Sequence, residues 1–112
     1  MMQQSPRFFR RSAHILRLAL GGSTALFGVA CGNGIYAIKA NSASNQLAEA
    51  RELGAEKLAP FEYYYAKEHY EEAERQAADA DYGDAINLAE ESETYAAKAI
   101  RLSKQAERGA GR

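Results

Sequence analysis

A chain of 112 residues with 14 basic and 15 acidic side chains is nearly neutral and has the size of one small domain. Its charges are not evenly spread: Arg7, Arg10, Arg11 and Arg17 are the only charged residues before Lys39, and the first acidic residue is Glu49. Residues 31–112 carry 10 basic against 15 acidic groups, which excludes the basic face that nucleic acid requires; two His and one Cys supply no intramolecular disulfide, Cys-rich zinc site or Cys/His catalytic pair.

The amino-terminal segment is the first element. Met1 to Arg17 is basic and free of carboxylates, and Leu18 to Ala30 reads LALGGSTALFGVA, an uncharged run of Leu, Ala and small residues. That order is the basic n-region and apolar h-region of a secretory signal, so residues 1–30 are expected to be a signal peptide. The apolar stretch enters the bilayer while the Arg cluster stays on the cytoplasmic side, and the rest of the chain is delivered outward. The run closes on Gly28-Val29-Ala30-Cys31, where small residues suit a signal peptidase and the expected cut falls between Ala30 and Cys31.

These four residues resemble the lipobox of bacterial lipoproteins, although Gly28 stands where Leu is usual. The resemblance implies that Cys31 begins the mature chain and carries thioether-linked diacylglycerol plus an N-acyl group. Membrane lipid would then be the first partner of the protein. Two other readings share the same topology. An ordinary secretory cut at this bond would leave Cys31 as a free thiol in an oxidising compartment. An uncleaved anchor is the third, because Leu18 to Ile38 is 21 residues without charge, close to the ~20 that cross a bilayer. Its many Gly, Ser and Asn residues dilute the hydrophobicity. Arg10-Arg11 lacks the neighbouring residues of a twin-arginine signal, so it counts as n-region charge.

Residues 31–39 are expected to be the lipidated Cys and a short Gly32-Asn33-Gly34 spacer. Beyond them, Ala, Glu, Leu, Lys, Arg and Gln dominate and β-branched residues are few, which predicts an all-α domain over 40–107. Three stripes with spacings of three and four divide it. Tyr36, Ala40, Ala43, Leu47, Ala50 and Gly54 form the first. Tyr63, Ala66, Tyr70, Ala73, Ala77 and Ala80 form the second, and Ala85, Leu88, Ser92, Tyr95, Ala99, Leu102 and Ala106 the third. Helices are therefore predicted near 36–58, 60–79 and 82–107, as an antiparallel hairpin or a small three-helix bundle. Pro60 sets one boundary, because it disfavours helix at Ala59 and suits a first turn. Asp81 is placed to cap the last helix, with Gly83 loosening the chain beside it. Residues 108–112 are expected to be a disordered tail.

The stretches Ala59-Pro60-Phe61-Glu62-Tyr63-Tyr64-Tyr65-Ala66, Tyr70-Glu71-Glu72-Ala73 and Asp81-Tyr82-Gly83-Asp84-Ala85-Ile86-Asn87-Leu88-Ala89-Glu90 resemble the bacterial lipoprotein family known as domain of unknown function 4398. The second half also resembles one tetratricopeptide-like helix pair, although a single pair cannot make a grooved array. The resemblance implies an envelope location and a helical domain, and it implies no catalytic residue, cofactor or metal. For an enzyme, the best residues are His69 with Glu68, Glu72 and Tyr65, and a thin helical domain offers them no obvious pocket. The expected function is therefore an anchored interaction or scaffold module. Tyr63, Tyr64, Tyr65 and Tyr70 are the candidate surface for an unknown envelope protein or a second copy. The alternative is a periplasmic ligand-binding or enzyme-accessory protein that uses the same Tyr face. The expected location is the cell envelope, at the periplasmic leaflet of the outer membrane in a Gram-negative cell.

Overall fold

The computed structural model describes residues 31–111. The expected signal segment 1–30, including Ala30 of the expected cut, lies outside the described residues, as does Arg112. Within them the chain is helical and has no strand. Among the described residues helix α1 runs over 31–52, α2 is the single turn Ala55–Leu58, α3 is Pro60–Ala78 and α4 is Tyr82–Ala110. Of the two architectures the periodicity allowed, the three-helix bundle is the one formed.

The bends have local causes. Gly54 takes φ 71, which costs it nothing because it has no Cβ. Its amide reaches back to the Arg51 carbonyl at 3.0 Å and closes α1. The helix expected without a break over 36–58 is therefore two pieces. Ala59 leaves helical geometry at φ −146 and ψ 59, and Pro60 opens α3 at the position where its missing N–H is harmless. At the other end of α3, the Asp81 amide donates to the Gln76 carbonyl at 2.9 Å and the Ala80 amide to Ala77 at 3.0 Å. This pair of bonds defines a Schellman closure, with Ala80 at φ 62 holding the left-handed position usually given to Gly. The Asp81 carboxylate then accepts from the Asp84 amide at 3.3 Å and caps α4, as its sequence position predicts.

Three expectations need correction. The spacer expected over 31–39 is helical, although Gly-Asn-Gly is a poor helix sequence. Packing outweighs propensity there: a Cβ on Gly32 would lie 3.0 Å from the Tyr82 Cβ, and the Tyr36 and Tyr82 rings meet at 6.4 Å. The tail expected from 108 is helical through Ala110, because the Gly111 amide still finds the Glu107 carbonyl at 3.1 Å. Gly83 does not loosen the turn; it lies in the first turn of α4, and Ala80 makes the reversal.

The seams of the bundle are made of small residues. In α4 the buried positions are Ala85, Ala89, Ser92, Ala96, Ala99 and Ser103, spaced four and three without exception. α1 contributes Ala40, Ala43 and Ala50, and α3 contributes Tyr63, Ala66 and Ala73. This seven-residue period is the one that keeps packed helices in contact by slight left-handed supercoiling. The sequence stripe of α4 passes through Leu88, Tyr95 and Leu102, but these are half-buried and sit beside the seam. An Ala face lets α4 approach both neighbours closely, and the bulky residues are displaced to the margins.

Polar pairs fix direction and register. Lys39 meets Glu90 at 3.1 Å, Ser42 donates to Glu93 at 2.7 Å and Lys104 meets Glu49 at 2.9 Å, so α1 and α4 run parallel. Glu62 meets Lys98 at 3.5 Å and His69 meets Glu91 at 3.0 Å, so α3 runs antiparallel to α4. At the crossing of α3 and α4 the fully buried Ser92 hydroxyl donates to the Ala66 carbonyl at 2.7 Å.

Candidate functional site

Helical geometry turns the chain by about 100° per residue, from 3.6 residues per turn. It cannot put three consecutive tyrosines on one face, and it does not. Tyr63 is buried in the cluster of Ala50, Ala55, Ala59 and Ala99. Tyr64 points outward, with its ring edge-on to Tyr63 at 5.2 Å. Tyr65 faces α4, and Tyr70 lies with Tyr63 along the groove between α1 and α3. The single four-tyrosine surface is thus replaced by three different environments.

The face shared by α3 and α4 carries an aromatic stack that crosses between helices. Tyr65 and His69 are one turn apart and stack at 4.0 Å, and Tyr95 of α4 lies 4.1 Å from Tyr65. Phe61 extends the stack, 5.8 Å from Tyr65 and 6.3 Å from Tyr95. Lys98 sits 5.6 Å above the Tyr95 ring, within range of a cation–π attraction. Glu91 ties the group together by accepting from the Tyr65 hydroxyl at 3.4 Å and facing His69 Nε2 at 3.0 Å. On its other side, His69 Nδ1 lies 2.9 Å from the Tyr65 carbonyl, which can only accept a hydrogen bond. Both ring nitrogens are therefore engaged, Nδ1 within α3 and Nε2 across to Glu91 of α4.

The groove between α1 and α3 is open, about 300 Å³ in volume, and is lined by Ser44, Leu47, Arg51, Tyr63, Lys67 and Tyr70 among others. Its basic groups are partly spoken for: Lys67 pairs with Glu71 at 2.7 Å. Burial, assisted by a hydrogen bond to Glu56, pushes the Tyr63 phenol above its ordinary range. Burial also raises Tyr70 and Tyr36, with Glu74 adding to both shifts, and Tyr65 rises through desolvation and the nearby Glu91. Each of these shifts favours the protonated phenol over the phenolate. Among the described residues, no three His, Cys, Asp or Glu side chains are grouped to hold a metal ion.

Large apolar side chains remain exposed at two places. Leu58, Phe61 and Tyr64 are exposed where α2 meets α3. Ile35 and Ile38 are exposed in the first turns of α1, close in sequence to the exposed Cys31. Because α1 rises about 33 Å over its 22 residues and α3 returns antiparallel, these two sets lie at opposite ends of the bundle. Leu58, Phe61 and Tyr95 are not singled out as surface residues by the sequence. Leu58 and Phe61 flank Pro60 at spacing three, which could have indicated their common end; Tyr95 joins the stack only through the register of α4 against α3. No helix among the described residues is long and apolar enough to cross a membrane. No protein-family model, no curated protein and no solved structure matches the chain.

Proposed function

We propose that the chain is a membrane-anchored envelope lipoprotein whose three-helix bundle is an interaction or scaffold module without catalytic activity. The reading is supported above all by one observation: the exposed Leu58, Phe61 and Tyr64 lie at the end of the bundle remote from Cys31. An acylated Cys31 would hold one end at the bilayer, and the other end would present aromatic groups of the kind that anchor protein interfaces. Confinement to the membrane raises the effective concentration of that end near other envelope proteins, so that a weak contact becomes populated. Two or more acyl chains hold durably where one does not. The signal-like order of residues 1–30 and the resemblance to domain of unknown function 4398 support the same reading; both rest on sequence alone. The periplasmic leaflet of the outer membrane is the proposed location in a Gram-negative cell.

Cells producing Cys31→Ser and the double variant Phe61→Ala/Tyr64→Ala test the two halves of the proposal. Cys31→Ser should leave the membrane fraction while keeping the helical circular dichroism of the bundle. The double variant should stay in the membrane and lose in-cell crosslinks made from a photoreactive group at the α2–α3 corner. Retention of Cys31→Ser in the membrane through an unmodified amino terminus rejects acylation, and unchanged crosslinks reject the corner as the contact surface. The groove between α1 and α3 favours a second reading, a periplasmic ligand-binding or enzyme-accessory protein. Saturable thermal stabilisation by a small molecule, abolished by Arg51→Ala, would favour that one.

A further inference from the structure

We propose that residues 31–38 of α1 rest on the lipid surface through Ile35 and Ile38, so that the bundle is seated against the membrane and not hung from a flexible tether. The inference rests on the reading of an anchored amino end. Its starting point is the missing spacer: residues 31–39 are helical, and Gly32 is packed under Tyr82.

Cys31, Ile35 and Ile38 are spaced four and three, which places them on one helix face. Ile35 is 51% exposed and Ile38 70%, so a large part of each side chain is open to solvent. The same face continues with Ser42, Asn45 and Glu49, so its apolar part ends after two turns. The upstream sequence indicates what covers it. The 30 residues outside the described chain end immediately before Cys31, and their last thirteen, Leu18 to Ala30, are uncharged and rich in apolar groups. Whether that segment is exchanged for acyl chains on Cys31 or retained, it brings hydrocarbon to the foot of α1. No charge intervenes, since none stands between Arg17 and Lys39, and Lys39 is turned to Glu90 on α4. Asp79, Asp81 and Asp84 lie in the α3–α4 turn at the same end of the bundle. The contact is therefore apolar and needs no anionic headgroup.

The chain contains no Trp, so a single introduced one is an unambiguous reporter. Full-length Ile38→Trp and Asn45→Trp proteins, extracted from membranes, are reconstituted in phosphatidylcholine vesicles with and without brominated acyl chains. Trp at position 38 should emit to the blue and be quenched several-fold more strongly by the bromines than Trp at 45. Equal, weak quenching at both positions overturns the proposal. A blue-shifted Trp at 38 that bromine leaves bright also overturns it, because a second copy of the chain then covers the face. Intact mass of the same sample separates the two levels of failure. Weak quenching on a chain with acylated Cys31 removes the seating and leaves the anchor. A chain that is unacylated and fails to associate with vesicles removes the anchored reading on which the seating depends.

Discussion

If the bundle is closed by contact between small residues, enlarging one of them must destabilise it even though the new side chain is more apolar. Ala99 is the decisive position. It is fully buried in α4 and belongs to one cluster with Ala50, Ala55, Ala59 and Tyr63, supplied by the other segments of the bundle. Ala99→Leu adds three carbons. With space available, burying them would stabilise by about 2.4 kcal/mol, from ~0.8 kcal/mol per buried methylene. Facing residues that are nearly all Ala leave no such space, and forcing extra methylenes into a filled seam costs about 1–3 kcal/mol. The two pictures thus differ in sign, and the structure predicts a loss of about 1–3 kcal/mol. For a domain of this size that lowers Tm by roughly 4–24 °C, at ~4–8 °C per kcal/mol. Ala97→Leu is the control, because Ala97 is exposed on the same helix and Leu is nearly as good a helix former as Ala. Thermal and urea unfolding followed by helical circular dichroism provide the measurement. A Tm for Ala99→Leu equal to or above that of Ala97→Leu would refute close packing of the seam.

The two buried serines should respond to Ala in opposite directions. Ser92→Ala loses the bond to the Ala66 carbonyl and should cost about 1 kcal/mol. The Ser103 hydroxyl is buried without a partner, so Ser103→Ala should be neutral or stabilising by up to about 1 kcal/mol in the same urea titration. Acid should weaken the bundle modestly. The Glu71 carboxyl is held below its usual range by Lys67, and that of Glu72 by Gln76 and then Arg75. A carboxyl lowered on folding stabilises fully above its unfolded pKa, and that stabilisation is lost as pH falls through the folded value. Both groups are solvent-exposed, so the effect should be small and shrink with added salt. Glu72→Gln should make the acid limb of a Tm-against-pH profile shallower, and an unchanged limb would assign the acid sensitivity to other groups.

Much of the fold could be read from residue spacing. The period of three and four residues located all three long helices, and Pro60 and Asp81 marked two of their starts by mechanisms that act within a few residues. What escaped depended on contacts between distant segments. Gly32-Asn33-Gly34 reads as a spacer by propensity, and the contact that accompanies its helix, Gly32 against Tyr82, comes from fifty residues away. The α4 stripe runs through Leu88, Tyr95 and Leu102 in sequence because large apolar residues are normally inside. The register with α1 and α3 chose the small residues one position on. Ala80 shows the same limit at a turn: the left-handed position fell to Ala although Gly83 stood three residues away. The distribution of Tyr63, Tyr64, Tyr65 and Tyr70 over different faces has a related reason. Consecutive tyrosines look like a patch in sequence, and a helix distributes them around its axis.

The Ala seam also explains how so small a bundle can leave large apolar groups on its surface. A short chain has few such residues, and a bundle closed by Leu and Phe would have to place them inside. Here the close approach of the helices replaces side-chain volume. The largest fully buried side chains are Ser92 and Ser103, which are no obstacle to that approach. Tyr65, Tyr95 and His69 can then lie along a margin, where ring contact is kept and the polar atoms of Tyr65 and His69 reach Glu91. Ile35, Ile38, Leu58, Phe61 and Tyr64 are left for the two ends. The arrangement has an energetic consequence: methyl groups bury little area each, so stability rests on the closeness of fit along the seam. A fold of this kind tolerates changes at its ends and penalises growth along its seam, so substitutions at Leu58, Phe61 and Tyr64 should leave Tm nearly unchanged where Ala99→Leu lowers it.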